Sequence, residues 1–132
     1  MLIHEQKITR KCFTAELVED NILYLYFFQD SFSTEKDYRE AYEVYNTLRN
    51  NKPIYIIIEH GENASIDASA RKYLQDNKFD ALGSATVMHS LAQRIIYNLY
   101  LKFRNQSFPA KGFRTYTKAL IWIHSLDKSN PT

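Results

Sequence analysis

Five consecutive residues, Ile54-Tyr55-Ile56-Ile57-Ile58, constrain what this chain can fold into more than any other feature. An apolar, β-branched run of this kind has no polar face to turn toward water, so it suits a central parallel strand covered by helices on both sides. The preceding segment supplies one such helix. Tyr38, Ala41, Tyr42, Tyr45 and Leu48 recur at helical spacing as a single apolar stripe, with Arg39, Glu40, Glu43 and Asn50 opposite. Thr34 is the expected N-cap, with Glu35 and Asp37 at the positive end of the helix dipole. Asn50-Asn51-Lys52-Pro53 ends the helix.

The same alternation extends in both directions. Phe13, Ala15 and Leu17 alternate with Thr14 and Glu16, as in a half-buried strand. Glu19-Asp20-Asn21 turns the chain into Ile22-Leu23-Tyr24-Leu25-Tyr26-Phe27-Phe28, and the two strands predict an N-terminal hairpin. After Ile58, a second helix is expected from Asp67, with Ile66, Ala70, Tyr73 and Leu74 inward. Gly83-Ser84-Ala85-Thr86-Val87-Met88 reads as a strand. Ser90 and Gln93 have the spacing of a capping box, and Leu91, Ala92, Ile95, Ile96, Leu99 and Phe103 form a wide apolar stripe expected to be buried. Pro109 stops that helix. A short strand over residues 111–114 leads to a last helix capped by Thr115, with Ala119, Leu120, Ile123 and Leu126 inward and Trp122 beside them. The prediction is one α/β domain over residues 1–132. It has a mixed, mainly parallel sheet of four or five strands, an N-terminal β-hairpin and about four helices. Residues 1–7 and 128–132 are read as frayed ends, the former alternatively as an added edge segment.

Size and charge narrow the function classes. At 132 residues the chain is long enough to bury a core without staples, and the single Cys12 excludes an intramolecular disulfide. Neither a signal-peptide run nor a membrane-length apolar stretch occurs, so the expectation is a soluble, cytoplasmic protein without stable membrane insertion. Residues 1–90 carry a balance of −4 and residues 91–132 one of +6. That gradient suits an acidic partner, a complementary dimer or simply a solvated surface. No recognised motif accompanies it, so nucleic acid is not expected as a partner.

Catalytic chemistry finds little support. Gly61, Gly83 and Gly112 are too scattered for a phosphate loop, and the four histidines show no metal-ligand spacing, so neither cofactor nor metal is expected. Cys12 has no neighbouring base in sequence. Ser69, His60 and Asp67 make a nucleophilic triad only on paper, without the strained elbow that exposes such a serine. His60 and His89 each follow a predicted parallel strand, where ligands of open α/β sheets bind, so they are candidate site residues. Solvated loop histidines are the plainer reading. The chain is therefore read as a non-enzyme.

The element order, the two-strand start and the turn after the strongest strand resemble STAS domains, the anti-sigma-factor antagonist fold, and in particular small stand-alone STAS-like proteins of bacteria. The segments that carry the likeness are Pro53 through Ile58, Ser90-Leu91-Ala92-Gln93-Arg94-Ile95-Ile96-Tyr97-Asn98, and Phe113 through Trp122 with Ala119-Leu120-Ile121-Trp122-Ile123. The resemblance implies a regulatory protein-interaction module that docks a regulatory partner or forms a homodimer. In the family, an Asp-Ser-[Ser/Thr]-Gly sequence at the start of the second helix carries the phosphorylated serine. Here the matching stretch is Asp67-Ala68-Ser69-Ala70, with alanine at the phosphoacceptor position. The family's usual switch is therefore not expected, and Ser65 and Ser69 are the remaining hydroxyls. Asp67 is alternatively a plain helix cap.

Arg94 and Asn98, four apart and expected opposite the apolar stripe, complete the candidate binding set with His60, Ser65, Asp67, Ser69 and His89. The alternative to a regulatory module is a domain binding a small apolar ligand or lipid, since the STAS fold is related in shape to CRAL-TRIO lipid-exchange domains. That alternative requires an apolar pocket of roughly a few hundred Å3.

Overall fold

The structure, a computed structural model, describes residues 7–104 and 106–129; residues 1–6 and 130–132 of the expected frayed ends lie outside the described residues. Eight strands and four helices follow in order: β1 (Lys7–Thr9), β2 (Phe13–Glu19), β3 (Ile22–Phe27), β4 (Phe32–Ser33), α1 (Glu35–Leu48), β5 (Tyr55–His60), β6 (Ser65–Ile66), α2 (Ala68–Asp76), β7 (Gly83–Val87), α3 (Leu91–Phe103), β8 (Ala110–Phe113) and α4 (Tyr116–Ser129). The main sheet has six strands in the order β1-β2-β3-β5-β7-β8, and β4 and β6 form a separate parallel pair. Strand β2 is antiparallel to both β1 and β3, and β3, β5, β7 and β8 run parallel.

Two details exceed the sequence expectation of four or five strands. Lys7, read as part of a frayed end or of an added edge segment, pairs with Glu16 in the edge strand β1, and Phe32–Ser33 pairs with Ser65–Ile66. Two-residue and three-residue strands carry no periodicity, so only the pairing partner reveals them. At the other end Lys128 belongs to α4 rather than to a loose tail.

The alternation in β2 divides the molecule into two cores. Phe13, Ala15 and Leu17 join Leu23, Leu25 and Phe27 of β3 beneath α1, where Tyr38, Ala41, Val44 and Tyr45 are buried. On the other side of the sheet, Ile22, Tyr55, Ile57, Ala85 and Val87 meet Ala119 and Ile123 of α4. The strand β5 is thus covered on both faces, as its unbroken apolar run requires. The helices α1, α2 and α3 connect successive parallel strands, and α1 and α3 share one side of the sheet while α4 crosses to the other. This leaves the carboxyl ends of β3, β5 and β7 and the space under α1, α2 and α3 as the places a ligand can reach.

Candidate functional site

The parity of β5 sorts its last residues. Ile56, Ile58 and His60 point toward α1, α2 and α3, while Ile57 and Glu59 point the other way. On the first side lies an apolar cavity of about 150 Å3. Its floor is sheet: Leu25, Ile56, Ile58, Ser84, Thr86 and Ala110. Its walls are helical, with Tyr38, Ala41, Tyr42 and Tyr45 from α1, Leu74 from α2, and Ile96, Tyr97 and Tyr100 from α3. The void has a local cause. Ser84, Thr86, Ala110 and Gly112 are small residues on the part of the sheet that α3 crosses. At Gly112 the neighbours close directly onto the backbone, since a Cβ would fall 2.6 Å from the Met88 methyl and 3.1 Å from the Tyr97 ring. The Tyr97 hydroxyl is buried beside Thr86 without a hydrogen bond of proper geometry, and burial pushes its pKa up to about 12.

The orientation of α3 corrects the sequence expectation. The stripe Leu91, Ile95, Leu99 and Phe103 points outward, each residue 50% to 64% exposed, and Ala92 is exposed as well. No residue of α3 is buried. The side chains that turn to the sheet are Gln93, Ile96, Tyr97 and Tyr100. Periodicity alone cannot choose between two apolar faces on one helix; the small, partly polar floor favours tyrosines over aliphatic side chains. Asn98 and Arg94 therefore border the exposed stripe rather than oppose a buried one, and their side chains make no hydrogen bond or ion pair among the described residues. Asn98 is exposed and Arg94 half-buried.

His60 and His89 do not form a pair. The His60 ring lines the cavity, stacked on Phe27 at 5.6 Å. Burial lowers its pKa to about 4, against an opposing pull from Glu59. His89 instead donates Nε2–H to Glu59 Oε2 at 2.8 Å, and the Tyr24 hydroxyl donates to Glu59 Oε1 at 2.8 Å. Burial, reinforced by the Glu59 carboxylate, raises the Tyr24 pKa. This chain of three residues crosses the carboxyl ends of the parallel strands beside a shallow cleft lined by Tyr26, Gln29, Gly61, Glu62, Asn63 and Ser90. Glu59 was not among the residues the sequence singled out, since a lone acid after a strand carries no spacing signal.

Asp67 caps α2: one carboxylate oxygen accepts from the Ala70 amide at 2.8 Å and from the Ser69 hydroxyl at 2.7 Å. Those bonds hold its pKa below the usual carboxylate range, with the Ser69 bond the largest cause. The Ser69 hydroxyl also accepts from the Glu35 amide at 3.2 Å, so it ties the starts of α1 and α2 together. Ser65 lies in β6 at the cavity rim. The expected capping box at α3 is half formed. The Gln93 amide donates to Ser90 Oγ, while the Gln93 side chain accepts from the His89 amide and donates to the carbonyls of Gly61 and Ala64, each at 3.0 Å. Gln93 thereby fastens the loop after β5 to α3. Gly61 is required there: a Cβ would lie 2.6 Å from the Gln29 amide nitrogen and 2.7 Å from the Tyr26 hydroxyl.

Among the described residues, no group of three or more His, Cys, Asp or Glu side chains is arranged to hold a metal ion, and no helix is long and apolar enough to cross a membrane. Residues 16–127 match the family described as Domain of unknown function (DUF7793), and the chain belongs to that family. Neither the curated proteins nor the solved structures contain a match.

Proposed function

Within this family of domains of unknown function, we propose that the chain is a non-enzymatic binding domain that takes a small apolar molecule into the cavity between its sheet and α1, α2 and α3. The observation that carries the reading is the cavity itself: a space of about 150 Å3 walled by isoleucine, leucine and tyrosine side chains. The space opens to solvent and carries Arg71, Gln93 and Thr86 among its mainly apolar lining, and its volume is that of a benzene-sized guest. The volume falls short of the few hundred Å3 expected of a small-ligand or lipid site, which restricts the proposed guest to one no larger than a single ring or a short alkyl chain. His60 suits such a site. Kept neutral by burial, it presents an uncharged ring to the guest.

The regulatory reading, in which a STAS-like module docks a protein partner at the loop after β5, is a second proposal. It is favoured by one observation: Gln93 joins that loop to α3 as one unit, next to Arg94 and Asn98, whose side chains are unpaired among the described residues. Asp67 and Ser69, which flank Ala68 at the position of the STAS phosphoacceptor, have their bonds committed to helix starts.

The test of the cavity reading is a titration with benzene and indole, followed through the methyl resonances of Ile56, Ile58 and Ile96. The expected result is saturable shifts confined to these three residues and abolished by Ile96→Trp, which fills the space from α3 while circular dichroism shows the fold retained. Methyl resonances that stay unmoved by both probes up to their solubility would rule out the cavity as a binding site.

A further inference from the structure

From the outer face of α3, we infer that the domain docks on anionic membrane surfaces through this helix, lying on the bilayer without crossing it. Leu91, Ile95, Leu99 and Phe103 sit four residues apart, so successive side chains rotate by only about 40° and form one oblique stripe about 18 Å long. All four are at least half exposed. Large apolar side chains scattered singly over a surface are unremarkable, but four in a row along one helix mark an interaction surface.

The charges around the stripe choose the occupant. Lys102 falls on the stripe side of the helix and Arg94 on its flank, while α3 contains no acidic residue at all. A second copy of the chain is a poor fit: antiparallel pairing of two α3 helices brings Arg94 of one toward Lys102 of the other, with no carboxylate on either helix to answer them. An anionic bilayer answers both features. It takes the apolar face into the boundary between headgroups and acyl chains, and lipid phosphates and carboxylates receive the cations, with the Lys102 stem reaching up to the headgroups. The stripe is also convex and borne on a helix with no buried residue, a shape suited to a deformable, flat surface more than to a preformed protein groove. An amphipathic helix that lies in the interface needs no membrane-length apolar run, so the docking is compatible with the absence of a spanning helix among the described residues. The inference is independent of the cavity reading, since it rests on the opposite side of α3.

The test is flotation of the purified protein with vesicles of phosphatidylcholine alone and of phosphatidylcholine mixed with phosphatidylserine. The protein is expected to float with the mixed vesicles and at least tenfold less with the neutral ones, and added salt should weaken the binding. Ile95→Ser combined with Leu99→Ser should abolish flotation. Both positions are exposed, so circular dichroism should show an unchanged fold. Lys102→Glu should reduce binding to the mixed vesicles by severalfold. The proposal is overturned if the protein stays with the soluble fraction for both compositions, or if the double variant floats as well as the parent. It is overturned equally if sedimentation shows a dimer that the double variant dissociates, because the stripe would then belong to a second copy. Benzene and indole titrations read the cavity separately, so either proposal can fail alone.

Discussion

At the scale of single residues, His60 shows how burial decides chemistry. Its neighbour in sequence, Glu59, faces the other side of the sheet and collects hydrogen bonds from Tyr24 and His89, whereas the His60 ring is stacked on Phe27 and lines an apolar space. With its folded-state pKa near 4, below the ordinary value of 6.5, the unfolded chain binds the proton first. The stability that the neutral ring supplies is therefore present above pH 6.5 and lost as the pH falls from there toward 4. Two-dimensional NMR of the imidazole should give a titration midpoint near 4 for His60, and the His60→Leu variant should lose less stability than the parent across that interval. A midpoint close to 6.5 would mean that the ring is solvated, and the description of the cavity wall would need revision. The sequence read His60 as a residue following the strand, whereas it is the last residue of β5; the side it faces could not be read, because the strand's parity becomes meaningful only once its neighbours are fixed.

At the scale of elements, the helices differ in how much of their behaviour the sequence discloses. The start of α1 was legible. Thr34 donates through its amide at 2.8 Å and through its hydroxyl at 3.2 Å to the buried Asp37 carboxylate. Asp37→Ala should destabilise the fold by about 1 kcal/mol, the usual cost of a lost cap, and chemical denaturation of the variant against the parent measures it. A change within error would mean that water replaces the carboxylate at no cost. The start of α2 at Asp67 was likewise readable from cap chemistry. The facing of α3 was not. Its sequence offers an aliphatic face and a tyrosine-rich face, and the choice is made by Ser84, Thr86, Ala110 and Gly112 on the flanking strands β7 and β8, which form one floor only once they pair. Leaving these four large apolar side chains half exposed forgoes on the order of 1 kcal/mol for each one, a cost that docking of the face would remove.

At the scale of the whole molecule, the order of elements predicted the architecture because each crossover from one parallel strand to the next follows a simple rule of handedness and adjacency. What escaped were features with no periodic signature, the β4–β6 pair and the cavity, while the edge strand β1 was legible only as an alternative to a frayed end. A cavity is a mismatch between surfaces brought together by the fold, so no local pattern announces it. The loop after β5 belongs to the same class. Gln93 reads in sequence as part of a cap, yet it also bridges to Gly61 and Ala64, which lie 32 and 29 residues away. The result is a rigid joint between the end of the central strand and the helix that covers the cavity on one side and bears the exposed stripe on the other.

The claim that organises this account is that the space under α3 is occupied by a small apolar molecule when the protein works. Native mass spectrometry of the protein purified under mild conditions, compared with the Ile96→Trp variant, tests it most directly. An added mass of a single ring or short alkyl chain is expected on the parent protein, released by organic extraction and absent from the variant. A bare mass for both proteins, together with the absence of any apolar compound in the extract, would contradict it.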